Sequence, residues 1–418
     1  MQAGSDAAGI NGWMPATHVP WDYAYRYIGG GLNTSKGKNW TDWAPNATFP
    51  IRYAQDARAH HYTPVLTYYT IHAAHGPCVL NCSEAQTDLS NLNSPSVMRL
   101  FFQDFTTLMK RLGPHSYGGV QGFGHDVIVH VEPDLSGYAE LAVRDPQNHC
   151  FGFCTHAGND PSLLRVAVAR SQYPPLRAYP NTYRGFNLAL LRIRDVYAPN
   201  VRLAFHVSDW ATGTDINSAT SPGIDATQLG TLAGQFAARS GVRQIARGTS
   251  TYDLIFNDVS NKDAAYYTNV LGKPRFWDQA NRTFPDFRRW ESYVSAASTT
   301  AGRPVIVWQI PIGNQLLRSE NNTVGHYQDN RVQYFLDHVR ELARAHVVGL
   351  LFGAATAQAT SNVDTQGDGV TNPPIVCNSE GWSTGRIVCT SQVATVADDD
   401  GGYLRARARA YYRAPLAL

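Results

Sequence analysis

The stretch VIVHVEPDLSGY, residues 127 to 138, combines the pattern of a buried strand with two carboxylates directly after it. A nearly unbroken run of β-branched residues predicts a strand that is covered on both of its faces. Pro133 cannot donate a ladder hydrogen bond, so it predicts the strand end. Glu132 and Asp134 are therefore expected at the carboxyl-terminal rim of a parallel sheet, where α/β proteins place their chemistry.

The same pattern recurs along the chain, with apolar strand-like runs alternating with helical segments. Such alternation predicts βαβ units and a parallel sheet. The predicted strands cover about 24–31, 63–69, 127–131, 201–207, 252–256, 304–310 and 347–353. The predicted helices cover about 50–61, 95–112, 181–199, 225–240, 284–301, 328–345 and 401–413. The sequence thus predicts an α/β fold, a TIM-like (β/α) barrel of seven or eight parallel strands.

We expect residues 1 to 418 to form a single barrel domain, although the length alone would fit about two or three domains. Residues 1 to 24 indicate an irregular N-terminal segment. Residues 139 to 180 indicate a long insertion after the third strand. The segment 354–400 is too long for an ordinary connection, which predicts a functional or ion-stabilised loop.

The amino-acid composition excludes some classes of binding partner. The formal net charge is +2 and only 16% of the residues are charged, so there is no basic stripe for nucleic acid. No run of 18 apolar residues is present, so no membrane span is predicted. The chain has 22 Tyr, 16 Phe, 9 Trp and 35 Gly. This composition is typical of a loop-rich secreted protein that binds a neutral, stackable ligand such as a sugar, and we expect a monomer.

The six cysteines support an extracellular location. They fall into three local pairs that indicate disulfides in loops: Cys78 with Cys82, Cys150 with Cys154, and Cys377 with Cys389. Six cysteines allow 15 connectivities, so this pairing is an expectation. Zinc is the weaker interpretation, because the CxxxC spacing lacks the usual pattern of histidine ligands, with His156 as the exception considered. The first residues, MQAGSDAAGINGW, lack the regions of an export signal, and we expect that signal to have been removed.

Polar and aromatic side chains follow most of the predicted strands. Because the carboxyl ends of parallel strands meet at one end of a barrel, we expect these side chains to converge. A pair of carboxyl groups there can cleave a glycosidic bond, and aromatic rings can stack on a sugar. The catalytic candidates are Glu132, Asp258, Asp209 and Asp134. The substrate-binding candidates are Trp210, Trp308, Gln309, Asn257, His206, Asn314 and Tyr69.

In the predicted mechanism Glu132 is the general acid, its pKa raised by burial and by Asp134. Either Asp258 or Asp209 is the second carboxyl, acting as nucleophile or base. The predicted function is that of a secreted glycoside hydrolase that cleaves a neutral polysaccharide, for example a β-glucan. No cofactor is required for this chemistry.

Several candidates also have a purely structural interpretation. Asp209 can form an Asx turn, and Asp263 lies where it can cap a helix. His130 and His206 lie within apolar runs, which favours buried histidines that are satisfied by the backbone. Trp308 can be a sugar platform or simply fill the barrel.

Two other classes of function stay open. A non-catalytic carbohydrate-binding barrel would use the same aromatic rings, with carboxylates that only accept hydrogen bonds from hydroxyl groups. A metal-dependent hydrolase would use His72, His75 or His206 together with Asp209, and it would lose activity with a chelator. The acidic loops DTQGDG, with Asp364 and Asp368, and ADDDGG, residues 397 to 402, could share a structural Ca²⁺.

Three common catalytic or nucleotide-binding motifs are absent from the ends of the predicted strands. No predicted strand is followed by a GxSxG elbow, a Walker glycine loop or a GxGxxG motif. Gly29, Gly30 and Gly31 end the first predicted strand without the lysine or later glycine of a phosphate loop. These absences argue against a serine hydrolase of that type and against nucleotide binding.

The segment VEPD, residues 131 to 134, resembles the Val-Glu-Pro-Asp strand end of the family 6 cellulases. That resemblance implies a secreted glycoside hydrolase on a distorted seven-stranded barrel. The family's Tyr-Asp-Leu-Pro-Asp-Arg-Asp loop has no counterpart, because residues 67 to 76 are TYYTIHAAHG, and WQIPIGN at 308 to 314 replaces its Lys-Pro-Gly-Gly-Glu segment. The family's mechanism and inverting outcome are therefore not carried over. WQIPIGN, GHYQDNR and ADDDGGY also resemble segments of uncharacterised secreted bacterial proteins.

Overall fold

The computed structural model describes residues 9–32, 37–78, 81–315, 322, 327–353, 358–360 and 401–416. In this part of the chain, seven parallel strands form one curled sheet, and consecutive strands are neighbours. The strands are β1 (Tyr23–Gly29), β2 (Thr63–Tyr69), β3 (Val127–Val131), β4 (Val201–His206), β5 (Leu254–Asp258), β6 (Val305–Ile310) and β7 (Val347–Phe352). The predicted α/β barrel is confirmed, with seven strands in the sheet.

The sheet is curled but open, because no ladder joins β1 to β7 among the described residues. The two edge strands still meet, since the Tyr25 hydroxyl donates to the Gly353 carbonyl just after β7. Side chains from all seven strands fill the interior, as expected for a packed barrel rather than a pore. These are Tyr25, Val65, Ile128, Ala204, Leu254, Phe256, Ile306, Trp308 and Leu351.

Helices cover the outside of the sheet and bury a second, larger apolar cluster against it. The longer helices are α1 (Phe49–Ala59), α2 (Glu84–Asn93), α3 (Pro95–Leu112), α4 (Pro133–Arg144), α5 (Tyr183–Tyr197), α6 (Ala226–Ala237), α7 (Ala264–Asn269), α8 (Phe287–Ala301), α9 (Arg331–Asp337), α10 (Val339–Arg344) and α11 (Gly401–Tyr411). Shorter helical turns are Gly9–Trp13, Met14–Ala16, Trp40–Asp42, Pro45–Ala47, Pro146–His149, Pro161–Leu163, Ala169–Ser171, Pro174–Leu176 and Ala238–Val242. A two-stranded hairpin pairs Ser116–Tyr117 with Val120–Gln121.

The segment after β3 differs from the prediction. Residues 133 to 144 form helix α4, whereas an irregular rim followed by an insertion from residue 139 was expected. Pro133 occupies the first helical position, where its missing N–H costs no hydrogen bond. Leu135, Ala139 and Val143 are fully buried, so one apolar face docks the helix on the barrel. Asp134 therefore lies in the first turn of a helix.

Three further boundaries differ from the prediction. Helix α2 lies in a segment where no helix was predicted, and Ser83 caps it by accepting a hydrogen bond from the Gln86 N–H over 3.2 Å. The predicted helix 328–345 is divided into α9 and α10 at His338. The predicted strand 252–256 extends to Asp258, which pairs with Trp308 in the sheet. This pairing is made by the backbone, so the polar side chain of Asp258 does not prevent it. Asn257 and Asp258 thus belong to the strand end itself.

The C-terminal helix packs beside the first and last strands of the sheet. The Tyr412 hydroxyl, just after α11, donates to Asp22 over 2.6 Å, and Arg409 Nε donates to the Thr17 carbonyl over 2.9 Å. An apolar cavity of about 110 Å³ lies there, lined in part by Tyr23 at the start of β1 and by Val347 and Phe352 at the two ends of β7.

Two of the predicted cysteine pairs are disulfides in the structure, Cys78–Cys82 and Cys150–Cys154. Cys377 and Cys389 lie outside the described residues, as do Asp364 and Asp368 of the predicted calcium loops. Among the described helices, none has the length and apolar character needed to cross a membrane.

Candidate active site

Asp134 lies at the centre of a group of carboxylates at the carboxyl end of the barrel. Its side chain is partly exposed in the first turn of α4. Burial, together with the charges of Glu84, Asp258 and Asp88, raises the pKa of Asp134 to about 8. Asp134 is therefore protonated at neutral pH and close enough to these three carboxylates to respond to their charges.

Asp258 ends strand β5, and a row of buried groups behind it crosses the barrel interior. Its Oδ1 lies 3.0 Å from Nε2 of His206, and 18% of its side chain is exposed. His206 Nδ1 lies 3.0 Å from His130 Nε2, and His130 Nδ1 lies 3.5 Å from Thr67 Oγ1. Thr67 and His130 are register partners on β2 and β3, so the row follows the lateral alignment of the strands. The described contacts thus satisfy both histidines through side chains, and the expected backbone partners are not the ones observed.

Aromatic rings enclose the two histidines. Phe256 stacks on His130 with ring centroids 4.2 Å apart, and Trp308 meets the same ring edge-on at 4.8 Å. Burial lowers the pKa of His130 well below its ordinary value, so this imidazole is neutral. Trp308 is 3% exposed. It fills the barrel and does not present a ring face to the rim.

Glu132 is almost entirely enclosed at the junction of β3 and α4. Its backbone has the left-handed conformation, with φ 44°, and its side chain is 2% exposed. Its Oε1 accepts hydrogen bonds from the N–H of Thr70 over 2.9 Å, the N–H of Ile71 over 3.1 Å and the Thr70 hydroxyl over 3.1 Å. Oε2 has no hydrogen-bond partner in the part of the chain that the structure describes. Glu132 thereby ties the loop after β2 to the start of α4.

Burial is the main reason that the pKa of Glu132 is raised to about 8. The neighbouring charge that adds to this effect is that of Asp88, where the sequence interpretation had named Asp134. The difference follows from helix α2, which was not predicted and which carries Asp88 under the rim. The catalytic assignment of Glu132 itself stays a prediction.

Asp209 and Asn257 form a buried pair beside Asp258. The Asn257 amide donates to Asp209 Oδ1 over 2.6 Å and to the Val207 carbonyl over 2.8 Å. The Asn257 carbonyl oxygen accepts from Trp290 Nε1 over 3.0 Å. Burial and the charge of Asp258 raise the pKa of Asp209 well above its ordinary value. The donors and acceptor of Asn257 are thus engaged within the protein.

Tyrosine rings supply the partly exposed aromatic surface near Asp134. The Tyr69 hydroxyl donates to Glu84, and the Tyr69 ring stacks on His72 with centroids 6.2 Å apart. The ring of Tyr27 lies 6.5 Å from that of Tyr69, and its hydroxyl accepts from Gln309 Nε2 over 2.5 Å. Tyr27 was missed, although the alternation of tyrosines in β1 places it on the interior face.

Tyr138 and Trp210 form a second aromatic pair, with ring centroids 4.9 Å apart, and both are partly exposed. Tyr138 was also missed. It lies one helical turn after Asp134 on α4, a spacing that places both side chains on one face. Asn314 is 1% exposed, so it lies behind the surface of the site.

His72, Glu84 and Asp88 offer metal-ligand atoms that all lie within 4.8 Å of one another. Within the described ranges this is the only such group of three, and it contains neither His75 nor Asp209. His206 faces Asp258, and Asp209 accepts from Asn257. The predicted combination of a histidine with Asp209 is not part of this group and stays a prediction.

Asp263 occupies the N-cap position of α7, but its side chain does not cap the helix. Its carboxylate accepts from the N–H of Gly313 over 3.1 Å and from the N–H of Thr360 over 2.6 Å. The Ala264 N–H donates instead to Asp329 Oδ2 over 2.7 Å. The expected capping role of Asp263 is thus taken by Asp329, and Asp263 joins the loops that follow β6 and β7.

No protein-family model matches the chain, and no curated protein matches it in sequence. Solved structures with a similar course of the chain include an endo-β-1,4-mannanase double mutant from Cellulomonas fimi, with a TM-score of 0.42 and 11% identity over 82% of this chain. The β-glycosidase BGL167 has a TM-score of 0.43 and 15% identity, covering 98% of this chain and 88% of its own. A family 5 glycoside hydrolase of Streptomyces cattleya, solved with GlcNAc, has a TM-score of 0.44 and 11% identity, covering 99% and 76%.

The chain spans 61% of the length of the mannanase chain that it matches. Similarities at this level bear on neither substrate nor mechanism. Any functional conclusion therefore rests on the site itself.

Proposed function

We propose that the protein is a glycoside hydrolase whose working carboxyl pair is Asp134 and Asp258. One observation carries this proposal: two mutually interacting carboxyl groups lie at one end of the barrel in different environments. The pKa of Asp134 is raised to about 8, which keeps it protonated, whereas Asp258 lies 3.0 Å from a histidine nitrogen. Glycoside hydrolysis requires one carboxyl group that donates a proton and a second that acts as nucleophile or base.

In this mechanism Asp134 donates its proton to the glycosidic oxygen as the bond to the sugar breaks. Asp258 acts on the opposite side, either as nucleophile or as the base that activates water. Asp134 replaces Glu132 as the proposed acid because it is partly exposed, whereas Glu132 is 2% exposed and engages Oε1 in three hydrogen bonds.

The proposed substrate is a neutral polysaccharide. Tyr27, Tyr69, Tyr138 and Trp210 supply partly exposed ring faces and hydroxyl groups near Asp134, a combination suited to sugar rings. The two described disulfides favour an oxidising, extracellular location. We propose that the protein acts there as a monomer.

The test is release of reducing sugar from a panel of soluble and insoluble polysaccharides, with a chelator present. Wild type is compared with Asp134→Asn and Asp258→Asn, each expected to lose about 10²-fold or more in rate. Asp126→Asn is the matched control. Asp126 immediately precedes β3, at the far end from Asp134, and its side chain is 58% exposed. This control is expected to keep wild-type activity.

Two results would count against the proposal in different ways. Glycan binding without product release would favour a carbohydrate-binding barrel, in which the carboxylates only hold hydroxyl groups. Product release that persists in both rim variants would place the working carboxyl pair elsewhere.

A further inference from the structure

Three side chains of metal-binding type meet beside Asp134. His72 lies on the loop that follows β2, and Glu84 and Asp88 lie on α2. The two acids are four residues apart, so helix geometry places them on one face, one turn from each other. One ligand atom from each of the three residues lies within 4.8 Å of the others.

The carboxylate of Asp88 is the unusual member of this group. It is 0% exposed, and neither of its oxygens accepts a hydrogen bond from a described residue. His72 Nδ1 lies 3.4 Å from Asp88 Oδ1, an ion-pair distance without hydrogen-bond geometry. Two ligands bound tetrahedrally to one Zn²⁺ at roughly 2.1 Å lie about 3.4 Å apart. The separation thus suits two atoms that share a cation.

The surroundings carry an excess of negative charge. The charges of Glu84, Asp88 and Asp258 each raise the pKa of Asp134, and the charge of His72 lowers it. Several carboxylates in a mostly buried region are unfavourable unless a cation or protons compensate them.

The ligand atoms are also held in place by neighbouring groups. The Tyr69 hydroxyl donates to Glu84, while the Tyr69 ring stacks on His72. Asn91 Nδ2 donates to the carbonyls of Ile71 and Ala74 over 2.8 and 3.0 Å, which fixes the loop that carries His72. Hydrogen bonds of this kind commonly orient metal ligands.

We propose that His72, Glu84 and Asp88 bind one divalent cation of borderline softness, with Zn²⁺ as the best match. Imidazole with carboxylates suits Zn²⁺, and three protein ligands leave a fourth position for water or a substrate oxygen. Ca²⁺ prefers six to eight oxygen ligands, which this group does not supply. The site does not depend on the glycosidase proposal, because binding of the ion requires no turnover.

The experiment is calorimetric titration of the chelator-stripped, untagged full chain with ZnCl₂, followed by MnCl₂ and CaCl₂. Wild type is expected to bind one equivalent of Zn²⁺ and to gain thermal stability. Asp88→Asn and His72→Ala are each expected to weaken binding by about tenfold or more. His149→Ala is the control, because His149 forms a similar pair with Asp145 at 3.6 Å but on an exposed surface.

Loss of Zn²⁺ binding in both site variants, with binding retained in the control, supports the site. Circular dichroism of Asp88→Asn, a nearly isosteric change, establishes that the variant is folded. Absence of saturable binding in wild type, or binding that is unchanged in the folded site variants, would overturn the proposal. His72 and Asp88 would then form an ion pair only.

Discussion

The Nε2 atom of His206 lies 3.0 Å from Oδ1 of Asp258, joining a residue inside the barrel to one at its rim. If Asp258 Oδ1 is the acceptor of this contact, His206 Nε2 carries the hydrogen. His206 Nδ1 then accepts from Nε2–H of His130, 3.0 Å away. Because burial keeps His130 neutral, its Nδ1 is left as an acceptor facing Thr67. This arrangement satisfies each nitrogen without placing a positive charge in the core.

We therefore predict that Nε2 carries the hydrogen in both histidines. Long-range ¹⁵N–¹H correlation spectra of ¹⁵N-histidine-labelled protein distinguish the two tautomers. His130→Gln and His206→Gln assign the two signals. A proton on Nδ1 of His206, or an imidazolium spectrum for His130, would contradict the proposed direction of the hydrogen bonds.

The pH profile of activity tests the role of Asp134. A general acid must be protonated, and the pKa of Asp134 is raised from 3.8 to about 8. We expect kcat/KM, measured with a chelator, to fall as the pH rises through about 8, since this parameter reports the free enzyme. A cation at His72, Glu84 and Asp88 would favour the carboxylate, so added Zn²⁺ should shift this limb to lower pH.

Asp126→Asn, the control at the far end of the strand, should leave the alkaline limb unchanged. The residual activity of Asp134→Asn should lack that limb. A limb that persists in this variant would show that another group is the acid.

The stability of the fold should also depend on pH, with a defined sign. The pKa values of Glu132 and Asp263 are raised from 4.5 and 3.8, respectively, to about 8 in the folded protein. Between about pH 4 and 8 the folded state therefore binds more protons than the unfolded state. The free energy of unfolding must then fall as the pH rises across this window.

Urea unfolding at pH 5 and pH 8 measures this change. Glu132→Gln keeps an oxygen to accept from Thr70 and Ile71 but does not titrate, so its stability should vary less with pH. An equal pH dependence in wild type and Glu132→Gln would show that Glu132 is not one of the groups responsible.

The barrel itself was predictable because fully covered parallel strands are continuous apolar runs. All seven predicted strands are present, and β2 and β3 have the predicted bounds. The polar helix α2 was missed because it has few apolar residues and follows a disulfide loop. Glu84 and Asp88 were missed with it, although Ser83 followed by helix-forming residues was a usable capping signal.

The connection of His130 to His206 could not be read from the sequence. It depends on the lateral register of neighbouring strands, which fixes side-chain neighbours 76 residues apart. The sequence shows each histidine only as a polar interruption of an apolar run. The role of Tyr138 was hidden for a related reason, since its position relative to Asp134 follows only once residues 133 to 144 are known to be helical.

Gly137 provides a test of the aromatic surface that leaves the carboxylates untouched. A Cβ atom at this position would lie 2.6 Å from Ser208 Oγ and 2.7 Å from the Trp210 ring, so the ring must move. We expect Gly137→Ala to raise KM several-fold and to cost about 1 to 3 kcal/mol of stability, reduced by the better helix propensity of alanine. The alkaline limb of the activity profile should stay near pH 8, because Asp134 keeps its surroundings.

Gly223→Ala is the control, since the nearest neighbour of its added Cβ atom would lie 4.0 Å away. Equal KM values in the two variants would mean that Trp210 does not contact the substrate.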